Sequence, residues 1–139
     1  MIRRGVVAVV FRKDKGKNKY LLLRRKLHWK GWELLKGGCK AGERKNTSLL
    51  REVKEEIGVK ELIFEETKYI NKFKYQKEYV KDHRKYSGVR NSAYVVEIFT
   101  KKIKFDNKEH SGFKWAGKKE TLKLLTWDDQ KEIFRKIVK

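Results

Sequence analysis

The sequence contains no proline and a single cysteine among its 139 residues. One cysteine excludes an internal disulfide and a zinc site built from cysteines, so we expect a reducing, cytoplasmic setting. The sequence also lacks an apolar run of about eighteen residues, which predicts that no helix spans a membrane and that no membrane is a partner. Near its start only residues 6–10 form an unbroken apolar run, too short for the core of a signal peptide.

Linkers, repeats and low-complexity segments are also missing, so nothing marks a boundary between domains. The length of 139 residues is that of one domain, and it is sufficient to bury a core. Aromatic residues make up 12% of the chain, which argues against disorder. We therefore expect a single domain over residues 1–139.

Acidic residues are scarce, with 18 Asp and Glu against 38 Lys and Arg and a net charge of +20. A positive field of this strength favours polyanions such as nucleic acid or polyphosphates. However, lysine recurs in nearly every stretch and forms no single block, which is equally typical of a surface covered with solvated lysines. The charge therefore indicates a class of partner, with RNA among the candidates, but it indicates neither an activity nor a number of subunits.

The spacing of apolar residues predicts strands mixed with helices along the chain. Strands are expected over residues 5–11, 20–23, 32–35, 92–100 and 113–116, with one or two more within 61–80. Helices are expected over residues 46–57, 118–125 and 128–138. Because the two kinds of element mix and most loops are short, we expect an α/β (α+β) fold with a mixed sheet and helices packed on it.

The helix predicted over residues 46–57 has an apolar arc and an acidic arc. The apolar arc, expected to face the core, consists of Leu49, Leu50, Val53 and Ile57. The acidic arc consists of Glu52, Glu55 and Glu56. Carboxylates this close repel one another, so the acidic arc is either a solvated face or a site for a hard divalent cation such as Mg²⁺ or Mn²⁺. Gly58 would end the helix in a left-handed cap.

The spacing within residues 37–59 carries a family resemblance. Gly37 is followed after five residues by Glu43, and after seven more by the run Arg51-Glu52-Val53-Lys54-Glu55-Glu56-Ile57-Gly58-Val59. This pattern resembles the Nudix box at every specified position, and a chance match at a given start is rarer than roughly one in a hundred million. The resemblance implies that Arg51 pairs with Glu43 and holds the helix against the preceding loop.

The resemblance implies a Nudix-type α/β/α sandwich with a mixed β-sheet flanked by helices. It also implies hydrolysis of a pyrophosphate linkage in a nucleoside diphosphate derivative, with Mg²⁺ or Mn²⁺ as the cofactor. Glu52 and Glu56 would be the main metal ligands, and Glu55 a further ligand or the base that orients water. The backbone carbonyl of Gly37 would be a ligand, as it is in some members of the family.

Two further stretches of the sequence narrow the range of possible substrates. Residues 32–38 are similar to the Trp-x-x-Pro-Lys-Gly segment of dinucleoside polyphosphate hydrolases and RNA pyrophosphohydrolases, with Leu35 in the place of proline. This similarity implies that Lys36 contacts the substrate. Residues 109–115 resemble a downstream segment of diadenosine tetraphosphate hydrolases, which implies that Glu109 is an additional metal ligand. The alternative for Glu109 is a turn residue.

Three further candidates each have two interpretations. Tyr94 lies near the position at which those hydrolases stack adenine on a tyrosine, but it is equally suited to the core. Arg25 ends a predicted strand near the expected cleft, where its guanidinium would hold phosphate or would simply be solvated. Residues 68–90 interleave aromatic and cationic side chains, as in a surface for single-stranded nucleic acid or in a hairpin with one buried aromatic face.

The sequence as a whole predicts a Mg²⁺-dependent Nudix hydrolase of small nucleotides, with diadenosine tetraphosphate as the leading substrate. Two alternatives stay open. One is an RNA 5′-pyrophosphohydrolase or decapping-type enzyme, which the charge of +20 favours. The other is a Nudix-fold module that binds RNA or nucleotides without catalysis. The acidic arc argues against this second alternative, because a binding module has no need for three like charges on one face.

Overall fold

The computed structural model of the protein describes residues 2–74 and 87–139. Within these ranges it contains seven strands and three helices. In chain order they are β1 (Ile2–Asp14), β2 (Lys17–Arg25), β3 (Gly31–Glu33), β4 (Leu35–Gly38), α1 (Lys45–Ile57), β5 (Leu62–Lys74), β6 (Gly88–Ile98), β7 (His110–Ala116), α2 (Lys118–Leu124) and α3 (Asp128–Ile137).

The predicted elements are present in the described ranges, but most strands extend beyond their apolar residues. β1 and β2 continue through charged residues because they pair as an antiparallel hairpin. The strand predicted over residues 32–35 is two strands, β3 and β4, with Leu34 between them. The backbone N–H of Leu34 donates to Oε1 of Gln130 at 2.7 Å, which ties this break to α3. None of the described helices is long and apolar enough to cross a membrane.

The strands form one mixed sheet in the order β3-β2-β1-β6-β5, with β4 paired to β1 and β7 paired to β2. β1 and β6 run parallel, while the remaining pairs are antiparallel. The mixed sheet with its helices confirms the predicted fold class. β2 pairs with β3 over residues 23–25 and with β7 over residues 20–25, so β3 and β7 lie on either side of β2 near Arg25.

Both faces of the sheet are covered, because alternate residues of β1 point to opposite sides. One apolar cluster lies between the sheet and α1 and contains, from these elements, Val6, Ala8, Val10, Leu49, Val53 and Ile57. The other lies between the sheet and α3 and contains Val7, Val9, Ile133 and Phe134. Burial on both sides explains why residues 6–10 are a continuous apolar run rather than an alternating one.

The buried face of α1 differs from the face predicted by its apolar residues. Leu50, expected in the core, is 42% exposed, whereas Glu52 and Glu56 are only 7% and 6% exposed. The prediction for Leu50 was wrong because the helix is rotated so that Glu52 and Glu56, and not Leu50 at the far edge of the apolar arc, turn toward the sheet. The helix ends as predicted at Gly58, which has a φ of 70° and donates its N–H to the carbonyl of Lys54 at 2.9 Å.

Candidate active site

A cleft of about 840 Å³ runs along the acidic side of α1. Its walls come from the sheet, from the loop between β2 and β3, and from the start of α3. Most of the predicted site residues line it, namely Arg25, Lys36, Gly37, Glu52, Glu55, Glu56 and Glu109. The fold therefore brings together residues from four separate parts of the sequence.

The three carboxylates of α1, here called the acidic ridge, are Glu52, Glu55 and Glu56. Glu52 and Glu56 are buried and Glu55 is exposed. Burial raises the pKa of Glu52 to about 7, and the charges of Glu56 and Glu55 act in the same direction while Arg51 opposes them. A cation placed against the ridge would stabilise the charged forms that burial disfavours.

Gly37 is adjacent to the ridge, and its lack of a side chain is a steric requirement. A Cβ atom on residue 37 would lie 2.0 Å from the carboxyl carbon of Glu52. The Glu52 carboxylate therefore occupies the space directly beside the backbone of β4. This contact places the predicted backbone ligand and the predicted side-chain ligand next to each other.

Arg51 pairs with Glu43, as the family resemblance implied. Its Nε donates to Oε2 of Glu43 at 2.9 Å and its Nη2 to Oε1 at 2.9 Å, which is a forked hydrogen bond. Nη2 also donates to the carbonyl of Gly38 at 2.8 Å, and Nη1 donates to Oε1 of Glu52 at 2.8 Å. Hydrogen bonds from Arg51 hold the pKa of Glu43 well below its usual range. Arg51 thus connects the loop, β4 and the ridge.

The structure adds a residue that sequence reasoning missed, Glu33, together with a role for His110. His110 is 2% exposed, and its Nε2 lies 2.6 Å from Oε2 of Glu33, while its Nδ1 lies 3.2 Å from Oε2 of Glu56. Burial alone would lower the pKa of His110, but the hydrogen bonds and charges of the two glutamates outweigh it and raise the pKa to about 9. The one feature of the sequence that could have pointed to Glu33 is its position next to the apolar residues Leu34 and Leu35, where a charged residue is unusual.

Glu56, Glu109 and His110 form a group that fits a metal ion. Each offers one ligand atom, and these atoms lie within 4.8 Å of one another. Oε2 of Glu56 and Nδ1 of His110 are buried and make no hydrogen bond of good geometry within the described residues. With Nε2 bonded to Glu33, Nδ1 is left to face Glu56 as a donor when His110 is charged, or to ligate a cation when it is neutral.

Two cations predicted to bind substrate, Arg25 and Lys36, both lie close to Glu33. Nη1 of Arg25 lies 3.2 Å from Oε2 of Glu33 and 3.5 Å from Oε2 of Glu109. Nζ of Lys36 lies 3.8 Å from Oε1 of Glu33. Burial opposes ionisation of Glu33, but His110, Lys36 and Arg25 together lower its pKa. A buried anion therefore positions both cations at the edge of the acidic site.

Comparison with known protein families agrees with this arrangement. The family model described as the NUDIX domain matches residues 1–137. The chain belongs to the Nudix family. Membership supports a pyrophosphohydrolase that acts on nucleotide derivatives. Nudix enzymes generally use divalent metal ions, and the group of Glu56, Glu109 and His110 is a place where this chain could hold one.

Solved structures with the same fold belong to several kinds of Nudix protein. The E. coli dihydroneopterin triphosphate pyrophosphohydrolase has a TM-score of 0.84 and 18% identity, with 99% of this chain and 97% of that chain covered. A C. elegans Ap4A hydrolase in a binary complex has a TM-score of 0.78 and 20% identity, with 97% and 94% covered. The NUDIX domain of Shewanella oneidensis NrtR, complexed with ADP ribose, has a TM-score of 0.69 and 18% identity, with 100% and 90% covered. No curated protein matches the Nudix chain.

Tyr94 of this Nudix chain is a core residue, and the prediction that it contacts substrate was wrong. Its side chain is fully buried, its ring packs edge-on against Phe64 at 6.0 Å, and its hydroxyl donates to Oδ1 of Asn46 at 2.7 Å. Burial raises its pKa to about 12. A ring with no exposed face cannot stack on a base, so the core interpretation applies.

The segment rich in aromatic and cationic residues is only partly described. Residues 68–74 belong to β5, and Phe73 and Lys74 line the cleft of the Nudix domain. Residues 75–86 lie outside the described residues. The choice between a hairpin and a nucleic-acid surface therefore stays a prediction.

Proposed function

We propose that this Nudix chain hydrolyses a pyrophosphate linkage within a dinucleoside polyphosphate such as diadenosine tetraphosphate, with Mg²⁺ or Mn²⁺ as its cofactor. The observation that carries the proposal is the group of Glu56, Glu109 and His110, whose ligand atoms lie within 4.8 Å of one another. Arg25 and Lys36 lie beside this group on the same cleft. Clustered carboxylates and adjacent cations are what a metal-bound polyphosphate requires.

The chain offers a set of oxygen and nitrogen atoms for the metal. Glu52, Glu56 and Glu109 would supply carboxylate oxygens, and the backbone carbonyl of Gly37 would supply another. His110 would either add Nδ1 or, when charged, hold Glu56 in place. When bound, the cation neutralises phosphate oxygens and lowers the pKa of a bound water.

The residues around the metal site have separate roles in the hydrolysis. Glu55 is the exposed member of the ridge, and Arg51 holds it at 3.1 Å. It accepts the proton of the attacking water while the new P–O bond forms and the anhydride P–O bond breaks. The leaving phosphate departs with the electrons of that bond, and the positive charges of Arg25 and Lys36 stabilise it.

The proposed substrate class rests on residues outside the box. Lys36 belongs to the segment that resembles dinucleoside polyphosphate hydrolases, and Glu109 belongs to the segment that resembles diadenosine tetraphosphate hydrolases. Glu109 lies in the cleft and faces Arg25, which supports the proposed ligand role over that of a turn residue. The cleft volume of about 840 Å³ is sufficient for a nucleotide.

An RNA 5′-pyrophosphohydrolase is the second candidate, because the net charge is +20 and two further cations, Arg3 and Lys74, line the cleft. These positive charges would attract the backbone of a single strand. The segment that contains Lys36 resembles RNA pyrophosphohydrolases as well as dinucleoside polyphosphate hydrolases. It therefore does not discriminate between the two candidate substrates.

A comparison of three substrates tests the proposal. Diadenosine tetraphosphate, 5′-triphosphorylated RNA and ADP-ribose would each be incubated with the protein and Mg²⁺, and the products identified by chromatography. We expect rapid turnover of the dinucleotide and little of the RNA. Preferential turnover of RNA, falling steeply with salt, would favour the second candidate. Tight RNA binding without any turnover would identify a binding module and contradict both enzymes.

A further inference from the structure

The cleft has an aromatic wall that the acidic site does not use. Trp29 and Trp127 both line it, and their ring centroids are 5.1 Å apart at an interplanar angle of 73°. Trp29 lies in the loop between β2 and β3, and Trp127 immediately precedes α3. Both indoles are half-buried, so part of their surface faces the cleft. We call this pair the indole wall.

The loop that carries Trp29 is held firmly against the segment that carries Trp127. The backbone N–H of Trp32 donates to Oγ1 of Thr126 at 3.0 Å, and the N–H of Thr126 donates to the carbonyl of Trp32 at 3.1 Å. Gly31 has a φ of 155°, and a Cβ atom there would lie 2.0 Å from Oγ1 of Thr126 and 3.0 Å from the Trp29 ring. The close approach of the two segments therefore requires glycine at this position, and it presents the indoles together.

Arg25 connects the indole wall to the acidic site. Its Nη1 lies 3.5 Å from Oε2 of Glu109, and its Cζ lies 5.9 Å from the ring centroid of Trp29. Its Nε donates to the carbonyl of Leu27 at 3.0 Å, which fixes the guanidinium between the two. The order along the cleft is therefore carboxylates, guanidinium and indoles. This is the order in which a nucleotide presents its metal-bound phosphate, its next phosphate and its base.

We propose that the indole wall of Trp29 and Trp127 binds the purine base of the nucleotide whose phosphates reach the acidic ridge. This inference rests on the proposed function and deepens it. A planar base can stack on one indole while its edge contacts the other, because the two rings meet at an open angle. Any base can stack on an indole, but a purine has a larger ring system than a pyrimidine. A purine therefore buries more surface and should bind more tightly.

The other two tryptophans of the chain are in different surroundings and serve as controls. Trp115 donates its Nε1–H to the carbonyl of Lys101 at 3.0 Å, and Arg12 lies over its ring at 4.9 Å. Trp32 has Arg24 over its ring at 5.3 Å and packs against the core. Neither lines the cleft.

Tryptophan fluorescence measures binding without turnover. The protein with Mg²⁺ would be titrated with the α,β-methylene analogues of ADP, GDP and UDP, and with methylenediphosphonate as a probe that has no base. We expect quenching by the purine analogues, weaker binding of the uridine analogue, and neither quenching nor tight binding with methylenediphosphonate. Equal affinity for methylenediphosphonate and the ADP analogue would overturn the proposal.

Substitutions of Trp29 and Trp127 test whether the fluorescence quenching arises at the indole wall. We expect Trp127→Leu and Trp29→Leu to lose most of the quenching and to bind the ADP analogue about tenfold more weakly. Trp127→Phe should restore part of the affinity, and Trp115→Phe should bind as the unchanged protein does. Unchanged affinity in Trp127→Leu would refute the assignment even if the protein hydrolyses nucleotides. Quenching that depends on Trp127 would support it even if no tested substrate is hydrolysed.

A measurement on the unchanged protein covers the case in which a leucine variant fails to fold. In ¹⁵N-labelled protein the indole N–H signals of Trp29 and Trp127 should shift when the ADP analogue is added, whereas that of Trp115 should stay in place. Assignment of the signals uses the Trp→Phe variants. Shifts confined to Trp32 or Trp115 would contradict a base site at the indole wall.

Discussion

The carboxylate of Glu52 occupies the space that a Cβ atom on residue 37 would need. The carboxyl carbon would be 2.0 Å from such an atom and the two oxygens 2.3 and 2.4 Å from it. A buried acidic side chain of α1 therefore lies directly against the backbone of β4. The helix can bring its carboxylates to the floor of the cleft only because residue 37 has no side chain.

Gly37→Ala should impair metal binding while the fold persists. The flexible Glu52 side chain can move aside for the new methyl group, but its carboxylate then leaves the position from which it would bind the metal. We expect the affinity for Mn²⁺ and the turnover number each to fall by about tenfold or more. Isothermal titration with Mn²⁺ and steady-state kinetics measure these effects. Gly117→Ala is the matched control, since a Cβ there would meet nothing within 4 Å. Wild-type Mn²⁺ affinity in Gly37→Ala would contradict the role of Glu52 as a ligand.

Glu56→Gln should reduce the turnover number by roughly 10²–10³-fold, because the amide keeps the shape of the side chain but removes its negative charge from the proposed metal site of Glu56, Glu109 and His110. Circular dichroism should show an unchanged fold. Glu65→Gln, an exposed glutamate on β5 outside the cleft, should retain full activity. Near-normal turnover in Glu56→Gln would refute the proposed metal site.

Glu109→Gln should cause a smaller loss of turnover, of about tenfold. Its carboxylate is one of the three groups proposed to hold the metal, with Glu56 and His110, but it extends from a loop and also lies 3.5 Å from Nη1 of Arg25, which neutralises part of its charge. Steady-state kinetics at saturating Mg²⁺ give the comparison with Glu56→Gln. An unaltered rate would make Glu109 a turn residue.

The stability of the metal-free protein should depend on the charge of His110. Its pKa is about 9 in the folded state, against 6.5 for an ordinary histidine. The folded state therefore holds this proton more tightly than the unfolded state. The resulting stabilisation is complete below pH 6.5 and is lost as the pH rises toward 9.

Denaturant unfolding in EDTA between pH 8 and 9 measures this effect, since Glu52, with a pKa of about 7, is already about 90% ionised at pH 8. We expect the free energy of unfolding to fall with rising pH in the unchanged protein and to fall less steeply in His110→Gln. Parallel pH profiles for the two proteins would show that His110 does not carry the effect.

The pairing of Arg51 with Glu43 was predictable because both residues belong to one short motif on neighbouring elements. The same holds for the end of α1 at Gly58 and for the order of strands and helices, which follow from local periodicity and turn residues. The link between Glu33 and His110 was not predictable. The two residues are 77 positions apart, and they meet only because β2 pairs with both β3 and β7.

The sequence alone was sufficient to establish the acidic box and the likeness to one enzyme family, because the residues of the box lie within a short stretch whose spacing carries the chemistry. The direction in which side chains point was decided by packing. Helical periodicity placed Leu50 in the core, and the sequence left Tyr94, on a predicted strand, open to two interpretations. Packing of the sheet and helices buries Glu52, Glu56 and Tyr94 and leaves Leu50 exposed. A one-dimensional pattern defines the faces of an element, and only contact with its neighbours determines which face is covered.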